Sequence, residues 1–161
     1  MYLNTDDGGL RELYAFDSED DGRAFRYEIA STNTQEEILR HLAKDPAWTI
    51  RGAVAENPST PDDVLHALAS DREMNVRAKV ALNINIPLDV LQTLAKDEHE
   101  DVRWYVTRNP KASSKILVMV FEYEKSLGEP DEDVIKALYE NKNLPHIAKV
   151  IIETLFGEML D

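Results

Sequence analysis

The sequence repeats itself at a spacing of 26 residues, and this repeat restricts the chain to a small set of folds. The segment NPSTPDDVLHALASD at residues 57–71 is followed 26 residues later by NINIPLDVLQTLAKD at residues 83–97. Apolar residues recur in the same register, as in the columns Ile38, Val64, Val90, Ile116 and Leu42, Leu68, Leu94, Val120. A fixed period of this length predicts stacked supersecondary units.

Each repeat is predicted to form two helices. Val64, Leu65 and Leu68 share one face of a first helix, and Val76 and Val80 place a second helix against the same core. A helix pair of this size has too little apolar surface to be stable alone, so neighbouring pairs must stack. We therefore predict an all-α chain of about four 26-residue helix pairs with atypical ends.

Two stretches resemble helix starts. The Thr60 hydroxyl is expected to accept a hydrogen bond from a backbone N–H, and Pro61 suits the first helical position. The stretch TQEE at residues 34–37 repeats the signal, with Glu37 placed for a capping box.

The register predicts one helical-repeat domain over residues 25–161, preceded by an acidic segment over residues 1–24. That segment is interpreted either as a disordered tail or as a partial cap formed by Leu10, Leu13, Tyr14 and Phe16. Within the domain, the units are placed at residues 25–33, 34–57, 58–83, 84–109 and 110–141, followed by a capping helix at 145–157. About six extra residues near 122–130 interrupt the register.

The unit NPxTPxxxLxxLAxDxxxxVRxxVAxN resembles the leucine-rich repeat variant family and, more loosely, HEAT-like repeats with their Asp…Val-Arg signature. The resemblance extends over about residues 25–121 and more loosely over residues 131–156. It implies a right-handed α-solenoid in which the second helix of each pair lines the concave side. One protein type in this family carries a cysteine cluster that binds an iron–sulfur centre, and this chain has no cysteine to do so.

The chain carries 31 Asp and Glu against 18 Lys and Arg, a net charge of −13. Nucleic-acid binding needs clustered Lys and Arg, so we expect no nucleic-acid partner. The charge either favours a basic partner or only keeps the protein soluble. The N-terminus has no basic start, and the apolar run at residues 116–121 is too short for a bilayer. We therefore expect no signal peptide, no membrane partner and a cytoplasmic location.

Three polar columns recur with the repeat. They are Asp45, Asp71 and Asp97, then Arg51, Arg77 and Arg103, and finally Asn57, Asn83 and Asn109. A catalytic constellation occurs once in a chain, whereas these columns recur with the fold, so we interpret them as a structural ladder. The Asp residues are expected to cap the second helices, the Arg residues to bridge neighbouring units, and the Asn residues to bond the turn backbone.

No catalytic residue, metal site or cofactor is predicted. The four histidines share no column and no metal-ligand spacing. The acidic clusters at residues 17–21 and 129–133 lack the spacing of a calcium loop and are interpreted as solvated charge. Glu56 and Glu100 are acids outside the repeat pattern, but nothing in the sequence supplies them with a catalytic partner.

Residues that depart from the repeat are the candidates for partner binding. Trp104 and Tyr105 occupy positions held by Gly52-Ala53 and Ala78-Lys79 in earlier units, so packing does not demand aromatic side chains there. Trp and Tyr are frequent anchors at protein interfaces. The remaining candidates on the second-helix row are Lys79, Leu82, Glu56 and Arg108. Alternatively, one or both of the aromatic residues cover the irregular fourth unit.

The leading functional hypothesis is a non-enzymatic module that binds a protein or peptide on its concave face, as a monomer or weak homodimer. A more specific alternative is an inhibitor or immunity-type protein whose acidic surface blocks a basic target. The third hypothesis is a HEAT-like enzyme, which would need an unrepeated catalytic carboxylate in a polar groove.

Overall fold

The computed structural model describes residues 7–15 and 18–160. Within these ranges there are eleven α-helices, one short 3-10 helix at Gly157–Met159 and no strand, so the all-α prediction is confirmed. The helices are α1 (Asp7–Glu12), α2 (Glu19–Thr32), α3 (Glu36–Leu42), α4 (Trp48–Glu56), α5 (Asp62–Leu68), α6 (Met74–Leu82), α7 (Leu88–Leu94), α8 (Glu100–Arg108), α9 (Ser114–Ser126), α10 (Glu132–Glu140) and α11 (His146–Phe156).

The helices group into two compact units. Unit 1 is Met1–Asn85 and holds α1 to α6, and unit 2 is Ile86–Asp161 and holds α7 to α11. Within each unit the helices alternate as the repeat predicts, which is consistent with a helical repeat solenoid. The single domain over residues 25–161, the number of repeats and the right-handed course stay predictions.

In unit 1 the short and the long helices alternate. First helices α3 and α5 have seven residues each, and second helices α4 and α6 have nine each. Helix α4 packs between α2 and α6, and the first helices pack against them. The apolar columns form the core between these layers, with Ile38, Leu39, Ile50, Val54 and Leu65 fully buried.

Unit 2 contains the six extra residues that interrupt the register. Helix α9 has 13 residues where α7 has seven, so the extra length equals six residues of added helix. Helices α8 and α10 keep the nine-residue length of the other second helices and pack against each other. Ile135, which replaces the column's arginine, is fully buried.

The predicted capping bonds of the Thr60 hydroxyl and of Glu37 are not formed, so both of these predictions are wrong. Helix α5 begins at Asp62 with Pro61 as its N-cap, and the Thr60 hydroxyl donates to the Val54 carbonyl at 2.5 Å instead of accepting. Thr60 is 5% exposed, so its side chain connects the turn before α5 to α4 from inside the core. Helix α3 has Gln35 as its N-cap and no side-chain cap, so Glu37 forms no capping box.

A column of asparagines joins consecutive helix pairs of unit 1. The Asn57 side-chain amide donates to the carbonyls of Ala30 and Asn33 at 2.8 and 2.9 Å. Asn83 repeats the arrangement on the carbonyls of Ala55 and Asn57, again at 2.8 and 2.9 Å. The last carbonyls of a helix have no hydrogen-bond partner inside that helix. Each asparagine therefore donates to carbonyls at the end of the second helix of the preceding helix pair.

The same asparagines close the turns that follow their own helices. The Asn57 side-chain oxygen accepts from the backbone N–H of Ser59 at 2.8 Å. Asn83, Asn109 and Asn141 each accept from the backbone N–H two residues on, also at 2.8 Å. Only a side-chain amide supplies two donors and an acceptor at one position, which explains why the column holds Asn and not Asp.

Arginine–carboxylate pairs form a second ladder in unit 1. Arg26 Nε donates to Asp45 at 2.8 Å, and Arg51 binds both oxygens of Asp71 at 2.7 and 2.9 Å. In each pair the acid belongs to the following helix pair. Arg51 also donates through Nη1 to the Asp45 carbonyl at 2.9 Å, so one guanidinium fork spans two helix pairs. A lysine ammonium does not reproduce this planar fork.

The aspartates of the ladder brace turns instead of occupying the N-cap. Asp45, Asp71 and Asp97 each accept from the backbone N–H two residues on, at 2.9 Å. The N-caps themselves are the residues so bonded, Ala47 in α4 and His99 in α8 among them. Arg77 and Arg103 donate to the turn carbonyls of Asp71 and Asp97, both at 2.9 Å.

The segment before α2 contacts the first helix pair. Leu13 is fully buried, and the Tyr14 ring lies under the Arg26 guanidinium at 4.8 Å and edge-on to His41 at 5.7 Å. Burial, together with the Asp45 carboxylate, raises the pKa of Tyr14. Phe16 lies outside the described residues, so the cap as a whole stays a prediction.

The first prediction concerns Asp71. Burial alone would raise its pKa, but bonds from Arg51 and the Glu73 backbone outweigh burial and lower it. Asp71→Asn should lower the free energy of unfolding at pH 7 by about 3 kcal/mol, because Arg51 loses its charged partner. A lowered pKa means that this contribution is complete above about pH 4 and is lost as the pH falls through the folded-state value. Urea denaturation should therefore show the variant converging on wild type in acid.

The control is Asp63→Asn, which breaks the exposed pair between Arg40 and Asp63 in the same unit. Solvent screens exposed pairs, so this variant should differ little from wild type at any pH. Equal losses at Asp63 and Asp71 would contradict a special contribution from the buried ladder.

The second prediction concerns Asn57, which is 4% exposed. Asn57→Asp keeps the shape but replaces two donors by a carboxylate that faces two carbonyl oxygens. We expect a loss of about 2–3 kcal/mol in the free energy of unfolding, measured by urea denaturation. The same change at exposed Asn85, which bonds the Pro58 carbonyl at 2.8 Å, should cost less than about 0.5 kcal/mol. An unchanged free energy of unfolding for Asn57→Asp would show that the Asn57 amide bonds do not hold consecutive helix pairs together.

Candidate functional site

The two aromatic candidates lie side by side on α8 in unit 2. The Trp104 and Tyr105 rings meet edge to face, with centroids 5.0 Å apart and planes at 83°. The Arg108 guanidinium lies over the Trp104 ring at 5.0 Å from its centroid and 3.8 Å from the Glu140 carboxylate. Both aromatic side chains are half-buried, so part of each ring faces solvent. The structure thus brings Trp104, Tyr105 and Arg108 together in one fixed cluster.

A groove of about 320 Å³ lies against these rings. Its remaining walls are carboxylates: Glu100 and Asp101 from the first turn of α8, and Asp131 and Asp133 from the start of α10. The Asp131 side chain also accepts from the backbone N–H of Val134 at 3.0 Å and so caps α10. We name these six residues the α8–α10 groove.

Sequence reasoning missed the acidic half of this groove. The cluster at residues 129–133 was interpreted as solvated charge, and its distance from residues 100–101 in the chain concealed that the two meet. The available signal was that α4 and α6 have no acid in the first turn, whereas α8 and α10 do.

A buried carboxylate holds the two walls of the groove. Glu124, fully buried in α9, accepts from Arg103 Nε at 2.5 Å and from the backbone N–H of Asp131 at 2.9 Å. Arg103 is on α8 beside Trp104, and Asp131 is the N-cap of α10. Glu124 thereby fixes the start of α10 relative to α8, and the sequence analysis did not identify it.

The other three candidates lie in unit 1. Lys79 Nζ on α6 pairs with Glu56 on α4 at 2.7 Å, and both side chains are about half exposed. Leu82, at the end of α6, is partly buried. A Cβ added to Gly52 would lie 3.7 Å from the Lys79 side chain, an ordinary contact, so this small residue leaves room and is not obligatory.

Unit 1 also contains an exposed aromatic residue that the sequence analysis left out. Tyr27 on α2 is 49% exposed, at the position that Gly52 occupies on α4. It lines a shallow groove of about 270 Å³ together with Ala53 and Glu56. The column that selected Trp104 also contains Tyr27, so the same departure from small residues was the missed signal.

Metal and membrane features are absent from the described part of the chain. Within residues 7–15 and 18–160, no group of three or more His, Asp or Glu side chains is arranged to hold a metal ion. No helix in those ranges is long and apolar enough to cross a bilayer. The Asp, Arg and Asn columns form hydrogen bonds and ion pairs within the two units, as described above, instead of gathering at one site.

Comparison with known families gives a match within unit 1. Residues 48–73 match the family model described as leucine rich repeat variant. The matched segment runs from the first residue of α4 through α5 to the turn before α6, so it contains one second helix and one first helix. Comparison with curated proteins and with solved structures gives no match. Residues 48–73 are therefore similar to the leucine rich repeat variant family, which confirms for this stretch the resemblance seen in the sequence.

Proposed function

We propose that the chain is a non-enzymatic interaction module that binds a protein or peptide through Trp104 and Tyr105. The leucine rich repeat variant match supports a repeat-based interaction module in general. The proposal adds the binding face, which consists of the exposed side of α8 with Arg108 at its end. In such a module, periodic positions maintain the fold and irregular positions contact the partner.

The observation that carries the proposal is that the two aromatic side chains depart from the repeat, are partly exposed and are held in place by their neighbours. Their positions hold Gly52-Ala53 in α4 and Ala78-Lys79 in α6, and both aromatic side chains remain partly exposed here. The edge-to-face contact and the Arg108 guanidinium restrain the rings before any partner arrives. A restrained aromatic anchor loses little conformational entropy on binding, which favours affinity.

A specific observation favours the inhibitor or immunity-type alternative as well. Four carboxylates line the groove beside the aromatic pair, and the whole chain carries a net charge of −13. An acidic surface of this kind speeds the encounter with a basic target and repels acidic ones. The two proposals share one binding face and differ in whether the partner must be basic.

The surroundings of the two unrepeated acids support a non-enzymatic role. Glu56 forms an ion pair with Lys79 at 2.7 Å, and both side chains face solvent, where water weakens their effect on a reacting group. Glu100 lies 3.6 Å from His99 Nδ1, its neighbour in the chain. Neither acid combines a buried position with a hydrogen-bonded base, the arrangement that general acid–base catalysis uses.

The third prediction tests the binding face. Trp104→Ala with Tyr105→Ala should weaken partner binding by at least about 30-fold, since an interface anchor contributes about 2 kcal/mol or more. The free energy of unfolding should fall by about 2–4 kcal/mol, because both rings are partly buried and lose their edge-to-face contact, so affinity is measured at a temperature where circular dichroism shows that the variant is folded. The measurement is affinity for the partner that co-purifies from the native cell, by titration calorimetry.

Trp48→Ala is the matched control, because Trp48 is 43% exposed on α4 in unit 1 and lies outside the α8–α10 groove. It should leave affinity unchanged. Unchanged binding by the Trp104 and Tyr105 double variant would refute the proposed face.

The fourth prediction separates the general module from the acidic inhibitor. For an acidic inhibitor, the association rate should fall by about tenfold or more between roughly 0.05 M and 0.5 M salt, with a smaller change in dissociation rate. Surface plasmon resonance at several ionic strengths provides both rates. An association rate that does not respond to salt would exclude the inhibitor reading and leave the general module.

A further inference from the structure

The α8–α10 groove combines aromatic rings with carboxylates, and this combination selects for one kind of side chain. We propose that the groove binds an arginine side chain presented by the partner. This inference rests on the proposed function, because it names the chemical group that the same binding face recognises.

The shape of the groove suits a flat cation. Its volume of about 320 Å³ is enough for one long side chain, and Trp104 and Tyr105 form its apolar wall. The four carboxylates stand around the aromatic pair at the ends of two neighbouring helices. A guanidinium that lies on an aromatic face can direct its N–H groups outward to carboxylates. Two N–H groups can then bond the two oxygens of one carboxylate.

The charge balance also favours a cation. Two helix N-termini contribute roughly half a positive charge each, whereas the four carboxylates contribute four negative charges. His99 Nδ1 lies 3.6 Å from Glu100 and 3.8 Å from Asp101, and the six residues that line the groove include no Lys or Arg to neutralise it. The groove therefore retains a net negative charge that an incoming cation neutralises.

Helix capping accounts for only part of this acidity. Asp131 caps α10, but α4 and α6 begin without an acid in the first turn, so second helices of this repeat do not need one. Among the nine-residue second helices α4, α6, α8 and α10, the first-turn acids occur on α8, which carries the aromatic pair, and on α10, which packs against it. Their placement follows the groove and not the repeat.

The molecule itself provides an example of the contact. The Arg108 guanidinium already lies over the Trp104 ring at 5.0 Å, with the Glu140 carboxylate 3.8 Å away. The same three elements, an aromatic ring, a guanidinium and a carboxylate, would meet again in the groove. Arginine is favoured over lysine, because its planar group stacks on rings and is less strongly hydrated.

The experiment uses the full chain with Trp48→Phe, so that Trp104 is the single tryptophan of a chain that has two. The probe is a blocked peptide, Gly-Arg-Gly-Arg-Gly, titrated against Trp104 fluorescence. Matched peptides carry lysine, or citrulline, which keeps the shape of arginine but has no charge. We expect saturable binding of the arginine peptide, binding weaker by about fivefold or more for lysine, and none for citrulline.

Two groove variants and one control complete the test. Asp133→Asn and Glu100→Gln should each weaken the arginine peptide by about fivefold or more, since each removes a groove carboxylate. Asp62→Asn removes the same charge from the first turn of α5 in unit 1, outside the groove, and should leave affinity unchanged. Equal losses for all three would indicate a general charge effect and overturn the inference.

A citrulline response equal to that of arginine, lysine binding as tightly as arginine, or no saturation would each overturn the inference. These outcomes are distinct from failure of the proposed function. If the native partner still requires Trp104 and Tyr105 but the peptide does not bind, only the arginine inference falls. If the partner binds without the two aromatic residues, the proposed function falls as well.

Discussion

The side-chain amide of Asn57 holds two consecutive helix pairs of unit 1 through the backbone, and the rest of that unit depends on bonds of this kind. It satisfies carbonyls at the end of one helix that no residue within that helix reaches. The fork of Arg51 makes a second connection, between its own turn and Asp71 of the next pair. Apolar burial drives the stacking, but it has no direction. The amide and the fork have a fixed geometry, so they set the register in which the pairs stack.

These bonds explain which parts of the fold were predictable from the sequence. The Asn, Asp and Arg columns recur because each unit needs the same donors and acceptors at the same spacing, and the apolar columns between them predicted helices throughout. Single residues were less predictable. Thr60 looked like a helix cap, but its buried hydroxyl donates to Val54, because the inward position decides its partner. Glu124 was missed because it lies one residue beyond the Asp column, where only the longer α9 places a carboxylate next to Arg103.

The candidate site likewise has one part that was predictable from the sequence and one part that was not. Trp104 and Tyr105 were found because they stand where the two preceding second helices have Gly52-Ala53 and Ala78-Lys79, a difference that a sequence alone displays. Asp131 and Asp133 were not found, because their distance from Glu100 in the chain gives no sign that they share a groove. That contact depends on where α10 starts relative to α8, and an interrupted register does not determine it. The period of the sequence therefore predicts the repeated contacts. The position of the acidic wall, which follows the interruption of the register, can be read only from the structure.

The six extra residues in unit 2 provide a contact at the candidate site that a regular repeat would lack. The six extra residues lengthen α9, and the longer helix places Glu124 where it binds both Arg103 on α8 and the N-cap of α10. One buried carboxylate thus fixes the aromatic wall and the acidic wall at once. A charge buried to this degree is costly unless it is fully bonded, and Glu124 has partners on both sides. The departure from the repeat is therefore built into the core of unit 2, where it supports the groove instead of forming a loop beside it.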